Sequence, residues 1–303
     1  MSSPSISVVI PVYQCSERLP EHIECLRRLR PNVHEFIWVI TESPDGSHKI
    51  ARKAAQELGG QVLQVPRGLY QAWNSGIARA TGEFIYISTI GETITPEGLN
   101  ALALCIQKNQ ADVVFSPPTI FPSSRANLKH SMHWPVFVFR EALNRFSGVI
   151  VPREKAVLIQ AISGASGLLG SCASCLFSTF FMQCRPFPAD HHHYGDTAWT
   201  FQHLPEMRLA FYPNPAAKFT IHGHSDKKPI LKKQIYRLTE NLRNHLPPDQ
   251  SATLLRYVQA SQQIDKIRDP HPKFGWWWMP AAWTARSQRN ISKRALISAL
   301  ERS

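Results

Sequence analysis

The chain reads as an α/β protein built on a doubly wound sheet, with a helical extension towards its C-terminal end. Three observations predict this. Short, β-branched apolar runs alternate with amphipathic helical periods through the first ~115 residues, the pattern of strands covered by helices on both faces. Gly, Pro, Asp and Ser punctuate the joints between them. From Asp226 onward helical periods dominate, broken at Pro247-Pro248 and again around Pro270–Pro272.

Taken in order, Ile6–Val12 is a buried strand, followed by a helix whose apolar face is Leu19, Ile23, Leu26 and Leu29. Phe36–Ile40 is the second strand; the turn Ser43-Pro-Asp-Gly-Ser47 leads to a helix stopped by Gly59-Gly60. Val62–Val65 is a third strand, Tyr70–Ala80 a helix and Glu83–Ser88 a strand. Thr95-Pro96 opens a helix to Lys108, and Asp112–Phe115 is the next strand. Residues 116–190 are less regular. In a doubly wound sheet ligands bind at the carboxyl ends of strands, so the loops after Val12, Ile40, Val65 and Ser88 should face a site.

With 303 residues, 43% hydrophobic and 18% charged, the composition is that of a globular protein with a sizeable core. No apolar run approaches the roughly 18–20 residues that span a bilayer, and no basic patch precedes Ile6–Val12, so neither a membrane span nor a signal peptide is expected. The expected location is cytoplasmic, peripheral at the inner face of the membrane if the basic end touches lipid. Six scattered cysteines without a secretion signal predict reduced thiols. Charge is uneven: residues 1–225 hold 19 Lys+Arg against 16 Asp+Glu, residues 226–303 hold 15 against 6. A net charge of +9 in the last quarter predicts an anionic partner.

Four segments carry a resemblance. They are Ser7-Val-Val-Ile-Pro-Val-Tyr13; Val39-Ile-Thr-Glu-Ser-Pro-Asp-Gly-Ser47; Arg67-Gly-Leu-Tyr-Gln-Ala-Trp-Asn-Ser-Gly-Ile77 with Ala80-Thr-Gly-Glu-Phe-Ile85; and Tyr194-Gly-Asp-Thr-Ala-Trp199. In this order the chain resembles the family 2 glycosyltransferases over about residues 6–225. The resemblance implies the A-type nucleotide-sugar-binding fold with a mixed sheet, a catalytic region 1–225 (donor half about 1–115, acceptor half about 116–225) and an appended 226–303. It implies an inverting enzyme moving a sugar from a nucleoside diphosphate sugar, UDP-linked for preference, to a glycan or lipid-linked acceptor, as in polysaccharide assembly. An inactive nucleotide-sugar or glycan-binding relative is the alternative.

On that resemblance, Pro11, Tyr13, Glu42, Arg67 and Asn74 are donor-binding candidates and Asp196 is the catalytic base. Trp199 is a candidate for stacking on an acceptor sugar. The residue types fit: a carboxylate accepts from a base N–H, a guanidinium and close glycine backbone suit phosphate, and a positioned carboxylate activates a hydroxyl. Asp45 and Asn74 read equally as turn and cap residues, and Asp196 as a helix N-cap.

One departure stands out. Where the family has an acidic pair that holds a divalent cation, this chain has Thr89-Ile-Gly-Glu-Thr93. Mn²⁺ or Mg²⁺ is the implied cofactor, with Glu92 as ligand and His222, in Phe219-Thr-Ile-His-Gly-His-Ser225, as a second. A zinc site from Cys172, Cys175, Cys184 and His191–His193 is the weaker reading, since the cysteines sit among small apolar residues. The end of the chain sets Trp276, Trp277, Trp278 and Trp283 beside Lys and Arg, which suits packing on the catalytic region or an anionic membrane surface. Nucleic acid is not an expected partner, because no RNA-binding motif is present.

Overall fold

A computed structural model describes residues 4–122, 134–164, 166–191, 194–221, 232–268 and 279–302. Among the described residues, ten strands form two sheets: β1 Ile6–Val12, β2 Glu35–Ile40, β3 Gln61–Gln64, β4 Phe84–Ile87, β5 Glu92–Ile94, β6 Val113–Phe115, β7 Thr119–Pro122, β8 Cys175–Ser178, β9 Leu209–Phe211 and β10 Ala217–Ile221. The larger sheet runs β3-β2-β1-β4-β8-β6-β9 and the smaller β5-β10-β7. β1 to β4 pair in parallel as the alternation predicts, but β8 enters antiparallel between β4 and β6, so the sheet is mixed.

Both faces of the central strands are covered, which is why their sequences are apolar at nearly every position. The pleat sends Val8, Ile10 and Val12 into one core with Phe36, Trp38 and Ile40, and Val9 into the other with Ile37 and Val39. Val8, Val9, Ile10, Ile37, Val39 and Ile40 are all 0% exposed. Each such side chain contributes roughly 1.5–3 kcal/mol of transfer free energy.

Helices α1 Leu19–Leu29, α2 Ser47–Leu58 and α4 Pro96–Asn109 pack on the first core, and α3 Leu69–Ile77 on the second. Thr95 caps α4 by accepting from Gly98 N at 3.0 Å, with Pro96 at the first helical position, as read from the sequence. A Cβ at Gly76 would meet Val39 Cγ2 at 2.9 Å and collide with Val9, so only glycine lets α3 lie this close to the sheet. Further on come α5 Arg153–Ile162, α6 Gly195–His203, α7 Lys232–Leu242, α8 Pro248–Arg268 and α9 Pro280–Glu301.

The described part of the basic extension is not a separate appendage. Leu242, Leu254, Val258, Leu296 and Leu300 belong to the same core as Val9 and Ile85. Lys155 Nζ on α5 donates to the carbonyls of Ala299, Leu300 and Arg302 (2.8, 3.2 and 2.7 Å), satisfying the C-terminal end of α9. Among the described residues no helix is long and apolar enough to cross a membrane.

Candidate active site

The parallel arrangement brings the ends of β1 to β4 to one edge, and a cleft of about 390 Å³ opens there. Pro11 and Tyr13 at the end of β1, Thr41 after β2, Arg67 and Gly68 after β3, and Thr89 and Ile90 after β4 line it. Three of the five donor candidates therefore converge: Pro11, Tyr13 and Arg67. The Arg67 guanidinium lies over the Tyr13 ring, 5.1 Å from its centroid, which holds an exposed cation at the mouth of the cleft. Glu42 sits beside the cleft rather than in it: Thr41 is the lining residue, and Glu42 is exposed with its Oε1 accepting from Gln64 Nε2 at 3.0 Å.

Two candidates have other roles. Asn74 does not face the cleft; its Nδ2 donates to Phe187 O at 2.8 Å and its Oδ1 accepts from Phe187 N at 2.9 Å. This double bond between side-chain amide and peptide clamps the segment before α6 onto α3. Trp199 is 0% exposed, ringed by Phe177, Phe181 and Phe187, and its Nε1 donates to Arg185 O at 2.6 Å. Both faces and the polar edge are used within the core, so it offers no platform for an acceptor sugar. Asp45 takes the turn reading: its carboxylate accepts from Ser16 N (2.9 Å), Ser47 N (3.2 Å) and the Ser43 hydroxyl (2.8 Å), tying together the loops after β1 and β2.

Asp196 is the second residue of α6, with Tyr194 at the N-cap, so it is not the cap the rival reading makes it. Its Oδ1 accepts from Tyr70 Oη at 3.1 Å and from Thr197 N at 2.7 Å. Burial pushes its pKa above the ordinary carboxylate value, against the pull of those hydrogen bonds. Gly195 makes the contact possible, because a Cβ there would run into the Tyr70 ring and stand 2.7 Å from Pro188 O. Tyr70 opens α3 one residue after Leu69, which lines the cleft. Asp196 is thus bonded to α3, whose Leu69 and Ala72 line the cleft, while Tyr70 itself is buried beside them.

Glu92 begins β5, after a turn in which Gly91 takes φ +95°, a conformation that favours glycine. Its Oε2 accepts from Ser171 Oγ at 2.5 Å and Thr89 Oγ1 at 3.0 Å. Burial raises its pKa to about 7, the hydroxyl bonds and the Arg18 guanidinium opposing the rise and Asp196 adding to it. The described residues fit a divalent cation poorly. Glu92 is the single acid in the loop, one of its oxygens already takes two hydroxyl bonds, and among the described residues no three His, Cys, Asp or Glu side chains converge. His222 lies outside the described residues, as do His192, His193 and Trp276–Trp278. Cys172 and Cys175 are buried thiols with pKa values raised first by burial and then by Asp196, as a packed interior dictates.

Sequence reasoning missed Arg18, Tyr70 and Ser171. Arg18 was within reach of it, since it lies in a loop already expected to face the site. Tyr70 and Ser171 carry no local signal, as their partners are 126 and 79 residues away.

A search of curated proteins by sequence finds no match. Solved structures share the fold. The S. aureus TarS 1–349 structure with UDP superposes at TM-score 0.60 and 15% identity, covering 98% of this chain and 91% of that one. TarS 1–349 with UDP-GlcNAc gives 0.59 at 13% identity, with the same coverage. Glucosyl-3-phosphoglycerate synthase from Mycobacterium tuberculosis, crystallised with Mn²⁺, UDP and phosphoglyceric acid, gives 0.46 at 16% identity, covering 80% of each chain. In sequence, the model for "Glycosyl transferase family 2" matches residues 7–159, half of the chain. The chain belongs to glycosyl transferase family 2 and is a glycosyltransferase.

Proposed function

We propose that this protein transfers a sugar from a UDP-sugar to a hydroxyl of a glycan or lipid-linked acceptor with inversion, Asp196 serving as the base. The observation that carries the reading is the Tyr70–Asp196 contact, which bonds a half-buried carboxylate to α3, the helix whose Leu69 and Ala72 line the nucleotide-sized cleft. In the reaction the acceptor oxygen bonds the anomeric carbon and gives its proton to Asp196. The bond from that carbon to the diphosphate oxygen breaks, and its electron pair leaves with UDP. A carboxylate whose basicity is raised by burial suits this task, and the Tyr70 hydroxyl orients it. Tyr13 and Pro11 form the wall on which the base would rest, with Arg67 beside the phosphates and Glu42 at the rim. UDP and UDP-GlcNAc in the TarS structures, which share this fold, support uracil as the base.

Glu92, whose Oε2 already takes the Ser171 and Thr89 hydroxyls, leaves Mn²⁺ or Mg²⁺ without a fitting set of ligands among the described residues. An anionic membrane surface as partner is supported by α9, which exposes Trp283 and Ile291 two turns apart beside Lys293 and Arg294.

The test is release of nucleoside diphosphate from a panel of UDP-, GDP- and dTDP-sugars, with and without acceptor glycans. Turnover with a UDP-sugar that falls by roughly 10²–10⁴-fold in Asp196→Asn is the expected result. Absence of turnover across the panel would overturn the proposal.

A further inference from the structure

A nucleoside diphosphate sugar brings two negative charges into its site, and a third develops on the departing phosphate. The loop after β4 holds no acidic pair to place a cation against that charge. We propose that the Arg18 guanidinium binds the donor diphosphate, at the position where a divalent cation would otherwise stand. This rests on the donor-cleft reading above.

Arg18 is the N-cap residue of α1, fixed by its N–H to Cys15 O (3.0 Å) and by His22 N bonding its carbonyl (3.1 Å). From there it lines the same cleft as Arg67, together with Thr89 and Ile90 of the loop after β4. It also borders an adjoining cavity of about 360 Å³ that contains Gly91, so it stands between the nucleotide cleft and the altered loop.

The neighbouring arginines are committed. Arg27 pairs with Glu24 and with Glu57, and Arg30 donates to Leu58 O and Val33 O. Arg18, half-buried, makes no side-chain hydrogen bond or ion pair among the described residues. A planar guanidinium that faces a cleft with its N–H groups unspent on protein hydrogen bonds is suited to two parallel bonds with phosphate oxygens.

The surroundings agree with this role. Gly68 and Leu69, at the start of α3, line the same cleft, and no side chain caps that helix, so its first N–H groups stay available to an anion. With Gly91 in place of one acid, and Glu92 tied to Ser171 and Thr89, the loop carries little repulsion that a metal would have to offset.

The experiment is titration calorimetry of the full chain with UDP and with uridine, in EDTA and in Mn²⁺. UDP should bind in EDTA within about two-fold of its affinity in Mn²⁺, an energy difference below 1 kcal/mol. Arg18→Ala should weaken UDP by at least about ten-fold, the loss of charge-assisted hydrogen bonds, and leave uridine unchanged. Arg18→Lys, which keeps the charge without the fork, should fall between, and unchanged thermal midpoints establish that both variants are folded. UDP binding that requires Mn²⁺ overturns the inference alone. So does an Arg18→Ala variant whose UDP and uridine affinities move together or not at all. Failure of the unaltered protein to bind any nucleoside diphosphate overturns the donor-cleft reading as well.

Discussion

The Tyr70 hydroxyl donates to Asp196 Oδ1 across 3.1 Å and links the start of α3 to the start of α6. The bond gives the carboxylate one orientation and ties it to the helix whose Leu69 and Ala72 line the donor cleft. Asp196→Asn keeps the shape and the Thr197 N bond but cannot accept a proton. It should lower kcat by roughly 10²–10⁴-fold with UDP affinity unchanged, the ordinary contribution of a general base. Near-normal turnover in this variant would exclude Asp196 as the base. Tyr70→Phe should reduce kcat less, since the carboxylate survives.

His22 gives stability a dependence on acid. It is 2% exposed, its Nε2 meets Ser88 Oγ at 2.9 Å, and its Nδ1 has no hydrogen-bond partner. Burial, reinforced by the Arg18 charge and opposed by the nearby Glu92 backbone, lowers its pKa from 6.5 to about 4. The folded state therefore refuses a proton that the unfolded chain accepts. Stability should be full above pH 6.5 and fall as pH drops from 6.5 towards 4, by an amount on the order of 3 kcal/mol in all. Urea unfolding at pH 7 and pH 4.5 measures it. His22→Gln should flatten the dependence in that window; an unaltered slope would assign it to other groups.

Asn74 and Trp199 should behave as parts of the frame. Asn74→Ala leaves the Phe187 peptide without both its partners and should cost about 1–3 kcal/mol of stability. Trp199→Ala empties a core position and should cost about 3–5 kcal/mol. In both, thermal unfolding should shift while the folded fraction keeps its UDP affinity. A selective rise in acceptor KM for a fully stable Trp199 variant would restore the acceptor-stacking reading.

The exposed face of α9 separates lipid contact from packing. Trp283 and Ile291 are 65% and 61% exposed, so replacing both with Ser should leave the thermal midpoint nearly unchanged. Co-sedimentation with anionic vesicles at low salt should drop, and high salt should release the unaltered protein. Equal behaviour of the variant and the unaltered protein would leave α9 as a packing helix only.

The strands of the larger sheet within the first 115 residues were legible as short apolar runs bounded by turn residues, whereas β5, three residues of the smaller sheet, carries no such run. β8 was not, since Gly-Leu-Leu-Gly-Ser-Cys-Ala-Ser-Cys-Leu-Phe reads as packed interior of no definite period, and its antiparallel pairing depends on β6 and β4, both far earlier in the chain. Pro11, Tyr13 and Arg67 could be placed because strand ends in such sheets share one edge. Asn74 and Trp199 could not. Whether a helix face meets solvent or protein is decided by what packs on it, here Phe187 and its neighbours, 113 residues from Asn74. Arg18 sat in the right loop without a motif to distinguish it.

The insertion of β8 between β4 and β6 sets an order on synthesis. The strands β1 to β4 complete their mutual pairing by residue 87, and all the residues that line the nucleotide cleft except Thr89 and Ile90 lie within that stretch. β6 emerges soon after but has no partner until β8 arrives at residue 175 and β9 at 209. A ribosome elongating at ~5–20 residues per second leaves β6 and one edge of β4 waiting for several seconds. During that interval the nascent chain presents open strand edges, so translation speed across residues 116–175 becomes a determinant of yield for the whole enzyme.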